Sequence, residues 1–114
     1  MQFTELHLNA SLLKAIAEER FQTPTQVQEK AIPPILAKKN VIVSAQTGTG
    51  KTAAFALPIL QLLLDRQTPE KKTKRIKSLI VTPTRELCLQ IEANFKSYAK
   101  HTDLTTTAVY GGVS

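Results

Sequence analysis

The spacing of apolar and polar residues predicts helices at the start of the chain. Apolar residues there recur every three or four positions, as on one face of an amphipathic helix. We predict a first helix over Ala10 to Glu19, capped by Asn9, and a second helix that begins at Thr25. Because two prolines follow Ile32, the second helix should kink or restart near that residue. The first forty residues therefore form a helical region, preceded by an irregular apolar lead-in.

After residue 40, short β-branched runs alternate with longer helical patterns. The predicted strands are Val41–Ala45, Ser78–Thr82 and Thr105–Tyr110, and the predicted helices are Lys51–Leu64 and Arg85–Lys100. This order predicts an α/β fold in which flanking helices connect the strands of a parallel sheet. The loops at 46–50, 83–84 and 111–112 each follow a strand, so we expect them to share one rim.

The loop after the first strand has the composition of a phosphate-binding loop. It reads Ala45-Gln46-Thr47-Gly48-Thr49-Gly50-Lys51-Thr52. Gly48 and Gly50 let the backbone turn its N–H groups toward an anion, and Lys51 adds a positive charge. The Thr52 hydroxyl is suited to ligate Mg²⁺. Ala45 replaces a glycine of the fully glycine form, so position 45 should keep an ordinary backbone conformation. The alternative is a Gly/Thr-rich turn that connects a strand to a helix.

Thr25 and Gln28 have the spacing of a capping box at the start of the second helix. In the simpler interpretation, Gln28 fixes the helix start and has no other role.

Composition excludes some classes of protein. The 114 residues are 42% hydrophobic, and their longest apolar run, near Ala53 to Leu64, is too short to span a membrane. Cys88 is the single cysteine, which excludes an intrachain disulfide and favours a reducing cytoplasm. His7 and His101 have no metal-ligand spacing and are interpreted as surface residues. The net charge of +6 permits nucleic-acid binding, but the lysine-rich stretch 65–77 is better interpreted as a solvated loop.

Taken together, four blocks resemble the N-terminal part of a DEAD-box RNA helicase of the bacterial type. The blocks are Phe3 with Phe21–Gln28 (the Q motif), Ala45–Thr52 (motif I), Pro83–Leu87 (motif Ia) and the Gly111–Gly112 pair. The resemblance implies a P-loop NTPase fold of the RecA-like type. It divides the chain into a helical Q-motif region, 1–40, and the start of the ATP-binding domain, 41–114. It covers the whole chain, and the combination is specific to that family.

The resemblance also implies roles for individual residues. Phe21 would stack on adenine, and Gln28 would hydrogen-bond the adenine edge and favour ATP over GTP. The residues implied to hold the phosphates and Mg²⁺ are Thr47, Gly48, Thr49, Gly50, Lys51 and Thr52, of which Lys51 and Thr52 serve catalysis and Thr52 ligates the metal. The residues implied to contact the RNA backbone, without reading its sequence, are Thr84, Arg85 and Gly112.

Two departures from the family pattern stand out. Arg20 occupies a position where the family usually has glycine, and the chain contains no Asp-Glu-Ala-Asp motif. The carboxylate that holds Mg²⁺ and orients the attacking water is therefore missing. We expect the chain to be the ATP-binding portion of an ATP-dependent RNA helicase that remodels RNA duplexes, cut before the acidic motif and inactive by itself. The alternatives are a stand-alone adenine-nucleotide or RNA-binding module without hydrolysis and, with less support, an unrelated phosphate-loop kinase. Open strand edges in such a piece would favour self-association.

Overall fold

The computed structural model describes residues 1–46, 48, 50–66 and 76–111. These residues contain a short 3-10 helix and four α-helices: Phe3–Leu6, then α1 (Ala10–Glu18), α2 (Gln26–Leu36), α3 (Lys51–Arg66) and α4 (Arg85–Tyr98). α3 packs against both α2 and α4, and α1 packs against α4. The four predicted α-helices are confirmed, with ends that differ from the prediction by at most two residues.

The helix ends follow from local hydrogen bonds. The side chain of Asn9 accepts a hydrogen bond from the Ser11 backbone N–H, as expected for the N-cap of α1. α1 ends where Arg20 takes a left-handed conformation, with φ of 63°. The Arg20 N–H donates to the Ala17 carbonyl, and the Phe21 N–H donates to the Ile16 carbonyl. These two bonds form a Schellman motif, which normally favours glycine at position 20.

The second helix does not restart near Ile32, which was one of the two outcomes predicted there. α2 continues through Pro33 and Pro34 to Leu36, with no restart at Ile32. Each proline removes one backbone donor, but Ile32 is fully buried, and burial of such a side chain stabilises the helix by about 1.5–3 kcal/mol. Packing therefore offsets the lost hydrogen bonds.

The core lies around α3. Leu57 of α3 is fully buried together with Leu12 of α1 and Ile32 of α2. The apolar lead-in, predicted as irregular, forms the 3-10 helix and buries Phe3 and Leu6 in the same cluster. A helix that is apolar on nearly every side is thus covered by its neighbours, as its composition predicts.

The predicted parallel sheet is not formed within the described residues. No backbone ladder joins the segments 41–46, 76–82 and 104–110 there. From residue 104 to 110, however, half-buried and exposed residues alternate one by one, which is the period of an extended chain. Ile80 and Leu104 pack on the core, while Leu79 and Val109 point to solvent. The segments 76–82 and 104–110 thus contact the core through some of their residues, whereas 41–46 is exposed at all positions but Ala45. A strand also needs a hydrogen-bonded neighbour.

The structure also bears on the predictions for the histidines, the cysteine, the lysine-rich stretch and membrane-spanning helices. His7 and His101 are exposed, as predicted, and Cys88 lies half-buried on α4. Most of the lysine-rich stretch, residues 67–75, lies outside the described residues. In the part of the chain that the structure describes, no helix combines the length and hydropathy needed to cross a membrane.

Candidate nucleotide and RNA sites

The phosphate loop has the backbone geometry that its glycines predict. Gly48 and Gly50 both have φ of 84°, a conformation that other residues rarely adopt. Ala45 is not among the residues with positive φ, which confirms the expectation of an ordinary backbone there. Thr47 and Thr49 lie outside the described residues. The two described glycines therefore supply the turn that the motif requires.

α3 begins directly after this loop. The Gly50 carbonyl accepts the first helical hydrogen bond, from the Ala54 N–H at 3.1 Å. The N–H groups of the first turn have no intrahelical acceptor, so the helix start favours an anion. Lys51 is exposed, and no carboxylate of the described residues forms an ion pair with it. Thr52 is half-buried in the same turn. This end of α3 thus combines free N–H donors with an uncompensated ammonium group.

Gln28 joins the start of α2 to the phosphate loop. Its side-chain oxygen accepts from the Thr25 N–H at 2.9 Å, and its own N–H donates to the Thr25 hydroxyl at 3.4 Å. The predicted capping box is therefore confirmed. The Gln28 side-chain nitrogen also donates to the Gly50 carbonyl at 3.2 Å. A primary amide has a second N–H and a second oxygen lone pair, so these bonds leave capacity for a ligand.

The contact between Gln28 and Gly50 depends on the missing side chain at position 50. A Cβ atom added to Gly50 would lie 2.4 Å from the Gln28 side-chain nitrogen, whereas one added to Gly48 would meet nothing within 4 Å. Gly50 is thus required both by its positive φ and by the approach of Gln28. Gln28 itself is only 2% exposed, so its position is fixed by packing as well as by hydrogen bonds.

Phe21 belongs to an aromatic group at the N-terminal side of the molecule. Its ring lies 6.2 Å from that of Phe3, in a stacked arrangement, and 6.1 Å from that of Tyr98. Phe21 remains half-buried, so part of its surface is open to solvent. Its ring contacts within the described residues are with these two aromatics. The structure therefore brings Gln28 to the phosphate loop but gives Phe21 no ring contact with it.

An open groove of about 590 Å³ lies between the start of α2 and the segment 41–46. Its walls include Thr25, Lys30 and Ile42. Ala45 and Gln46 of motif I also line it, whereas Phe21, Gln28 and Lys51 do not, so the groove borders the phosphate loop without reaching these three predicted site residues.

A second cluster forms at the start of α4. The Thr84 hydroxyl caps the helix by accepting a hydrogen bond from the Leu87 N–H at 3.2 Å. Arg85 is exposed, and its guanidinium carbon lies 4.9 Å from the centre of the Tyr110 ring. Farther along α4, Glu92 accepts a hydrogen bond from the Ala108 N–H at 2.9 Å. Two of the three predicted loops, at 83–84 and at 111, therefore lie side by side. Gly112 lies outside the described residues.

Comparison with known proteins agrees with the four sequence blocks. Residues 25–114 match the family model described as DEAD/DEAH box helicase. The chain belongs to the DEAD/DEAH box helicase family. This assignment confirms the resemblance found in the sequence.

Curated relatives and solved structures share the helicase name. The ATP-dependent RNA helicase SrmB of Escherichia coli is 49% identical over 98% of this chain and 25% of its own length. The DEAD-box ATP-dependent RNA helicase RhpA of Helicobacter pylori is 48% identical over 98% of this chain and 21% of its own length. The crystal structure of the RNA-helicase Prp28 from Chaetomium thermophilum bound to ADP superposes with a TM-score of 0.87 at 35% identity, covering 99% of this chain and 27% of that one. The chain thus spans about a quarter of the length of such helicases, and it shares their fold over that part.

Sequence reasoning missed two residues of this helicase segment. Tyr110 contacts Arg85 at the start of α4, and Glu92 binds Ala108 two turns later, and no motif predicted either contact. A weak signal was present, because Glu92 lies seven residues after Arg85 and therefore on the same helix face.

Proposed function

We propose that this chain is the ATP-binding portion of an ATP-dependent RNA helicase that remodels RNA duplexes. The observation that carries the proposal is the 3.2 Å hydrogen bond from the Gln28 side chain to Gly50. It joins the amide expected to read adenine to the loop expected to hold phosphate. Membership of the DEAD/DEAH box helicase family and the ADP complex of the similar Prp28 support the same function.

In this proposal the nucleotide is ATP, held at the start of α3. Gly48 and Gly50 turn the loop, and Lys51 and the first-turn N–H groups neutralise the phosphates. Thr47 and Thr49 belong to the same loop. Lys51, which is exposed and has no ion-pair partner among the described residues, fits such an anion, as do the two positive-φ glycines. Gln28 uses its remaining N–H and lone pair on the adenine edge, and Phe21 stacks on the ring.

Mg²⁺ is the metal that this site would use, with the Thr52 hydroxyl as one ligand. The ion supplies charge neutralisation for phosphoryl transfer. Within the described residues no cluster of histidine, cysteine or carboxylate side chains has the arrangement of a metal site. The carboxylate partner that the family resemblance implies for the ion belongs to an Asp-Glu-Ala-Asp motif, which the sequence does not contain.

RNA is the proposed partner at the start of α4. Thr84 and Arg85 form an exposed helix start that carries a full positive charge. Such groups suit a phosphate and carry no sequence information, so the contact should not depend on base sequence. We include Gly112 in this surface because it follows Tyr110 and Gly111 next to Arg85.

The function is tested with two variants of the full-length protein. Lys51→Ala should lower ATP turnover by roughly a hundredfold or more, because it removes a charge that stabilises the transition state. Gln28→Ala should weaken the preference for ATP over GTP, and this effect on nucleotide choice should exceed its effect on folding, which the melting temperature measures. Equal affinity of the unmutated protein for ATP and GTP would contradict adenine recognition by Gln28 and leave it only its capping role. An ATPase rate of Lys51→Ala within threefold of the parent would contradict the phosphate-loop assignment.

For the 114-residue polypeptide by itself, the lack of an Asp-Glu-Ala-Asp motif in the sequence favours binding without turnover. The purified polypeptide should bind ADP but release no phosphate from ATP, with or without RNA. RNA-stimulated phosphate release would refute this second function.

Two further features of the proposal concern assembly. We propose that the segments 41–46, 76–82 and 104–110 are strands of a RecA-like parallel sheet in the complete ATP-binding domain, of which 1–40 is the helical Q-motif part. In the isolated polypeptide Ile42 is fully exposed and Val81 is 83% exposed, so a second copy is a suitable cover for these strands. Sedimentation should show a concentration-dependent dimer, and a compact monomer at all concentrations would contradict this.

We also propose a cytoplasmic location for the protein, because its single Cys88 is consistent with a reducing compartment.

A further inference from the structure

Two side chains of α4 hold the segment that leads to the glycine pair. At the first turn of α4, Arg85 lies over the Tyr110 ring. Two turns later, the Glu92 carboxylate accepts the Ala108 N–H. Ala108 and Tyr110 are both half-buried, whereas Val109 between them is 89% exposed. The segment 108–110 is therefore attached to α4 through alternate residues, and its other face is open.

The geometry points to a role for Tyr110 and Glu92 as positioning residues of the RNA surface. We propose that Tyr110 fixes the Arg85 guanidinium and that Glu92 fixes the segment 108–110, so that Arg85 and the backbone at Gly111 bind one RNA backbone together. The inference rests on the proposed RNA contact at Thr84 and Arg85. It adds two residues that were not assigned to that contact.

The position of Arg85 over the Tyr110 ring leaves it able to bind a phosphate. A guanidinium group that lies on an aromatic face keeps its N–H donors around the edge, where a phosphate oxygen accepts them. The ring also limits the rotamers of a long side chain before RNA arrives, which lowers the entropy lost on binding. Arg85 forms no ion pair within the described residues, so its charge remains uncompensated.

Glu92 is a carboxylate near the proposed RNA surface, but it interacts with the Ala108 N–H and with Lys96. One of its oxygens accepts the Ala108 N–H and also lies 3.5 Å from the Lys96 ammonium group. The partial neutralisation reduces its repulsion of a phosphate. Its position two helical turns after Arg85, on the same face of α4, lets it hold the segment 108–110 without competing for the guanidinium.

The test measures RNA affinity of the full-length protein with a labelled single-stranded RNA of mixed sequence. Arg85→Ala should weaken binding. It should also reduce the slope of log K against log[salt] by roughly one, because one phosphate contact is lost. Tyr110→Leu should weaken binding by about three- to tenfold, because it removes the ring face but keeps an apolar side chain. Tyr110→Phe keeps the face and should remain within about twofold of the parent.

A double variant separates positioning from a general structural effect. If Tyr110 acts through Arg85, Tyr110→Leu should cause no further loss in the Arg85→Ala background. A loss in that background as large as in the parent would overturn the inference, as would unchanged affinity of Tyr110→Leu. If Arg85→Ala itself has no effect, the proposed RNA contact fails, which is a distinct result.

Glu92 gives an independent pair of variants, which decides the question if Tyr110→Leu fails to fold. Glu92→Gln keeps an oxygen acceptor for the Ala108 N–H and should bind RNA like the parent or slightly better. Glu92→Ala removes the acceptor and should weaken binding by a few-fold, while ADP affinity stays the same. Equal RNA affinity of Glu92→Gln and Glu92→Ala would show that the attachment of the segment 108–110 is irrelevant to RNA.

Discussion

Gln28 shows how one side chain serves local structure and a ligand site together. Its amide completes the capping box of α2 and also reaches the Gly50 carbonyl. The capping role could be predicted from the spacing of Thr25 and Gln28, since the motif is local. The bond to Gly50 could not, because it joins residues that are 22 positions apart. The two interpretations of Gln28 are therefore compatible.

Gly50 and Gly48 form a matched pair for testing the approach of Gln28. Both have φ of 84°, so alanine at either position strains the backbone by a similar amount. Only at position 50 does the added Cβ also collide with the Gln28 amide. Gly50→Ala should therefore abolish the preference for ATP over GTP as well as weaken ADP binding, whereas Gly48→Ala should weaken binding and keep the preference. Titration of the full-length variants with fluorescent adenine and guanine nucleotides measures both effects. Loss of the preference in Gly48→Ala would contradict the collision.

Arg20 occupies a left-handed position for which glycine is better suited. A non-glycine residue in that conformation costs roughly 1–2 kcal/mol, part of which glycine loses again through the greater entropy of its unfolded chain. Arg20→Gly should therefore raise the free energy of unfolding by up to about 1 kcal/mol. Urea unfolding of the 114-residue chain measures this change.

Lys38, which ends α2 with φ of 64° in the same type of motif, is a matched site, and Lys38→Gly should also stabilise. Lys14 lies inside α1, where glycine should instead destabilise by about 1 kcal/mol. Destabilisation by Arg20→Gly equal to that of Lys14→Gly would show that the backbone at position 20 is not strained.

At the scale of whole elements, α1 is held to the end of α4 by a group of charged side chains. Glu18 accepts from Lys100 and lies 2.6 Å from the His101 ring nitrogen, and the Ser97 hydroxyl donates to Glu19. The hydrogen bond from Lys100, with a further one from His101, holds the pKa of the Glu18 carboxyl below its ordinary value of 4.5. The ionised form is therefore the one that the folded state favours.

The sign of this shift predicts how stability depends on pH. A carboxyl with a lowered pKa in the folded state contributes its full stability above pH 4.5, and the contribution is lost as the pH falls through the lowered value. Glu18→Gln should reduce the free energy of unfolding at pH 7 and flatten its decrease in the acid range. Glu5→Gln, at another exposed carboxyl, should leave the acid slope unchanged. Identical slopes for Glu18→Gln and the parent would show that this group does not connect α1 to α4.

The helices were predictable from the sequence and the sheet was not, for a physical reason. Caps such as Asn9 and Thr84 and apolar faces such as that of Ile91, Phe95 and Tyr98 act within one helix. Strand pairing depends on partners far along the chain, and the described residues contain no such pairing. The exposure of residues 104–110 alternates as in an extended chain, but the predicted strand is not formed within the described residues. Local prolines misled the prediction for α2 because tertiary packing overrides them.

At the scale of the whole molecule, helices cover one side of the extended segments and leave the other side bare. Backbone N–H groups there should exchange with solvent nearly as fast as in an unstructured peptide. Ala108 should exchange more slowly, because its N–H donates to Glu92, whereas its neighbours Thr107 and Val109 should exchange rapidly. Hydrogen exchange of the polypeptide, at a dilution where sedimentation shows a monomer, measures the difference. A protected amide at Val109 in that monomer would mean that a strand ladder forms after all.

The bare apolar side chains also determine how the stability of this polypeptide varies with temperature. Leu79, Val81 and Val109 are already 81%, 83% and 89% exposed in the folded chain, so unfolding exposes little more of their apolar surface to solvent. The heat-capacity increase on unfolding comes mainly from newly wetted apolar surface, and for this length an ordinary domain would show at least about 1.4 kcal/mol/K. A smaller increase gives a curve of stability against temperature that is low and broad. The polypeptide should therefore melt gradually on heating and lose little stability on cooling.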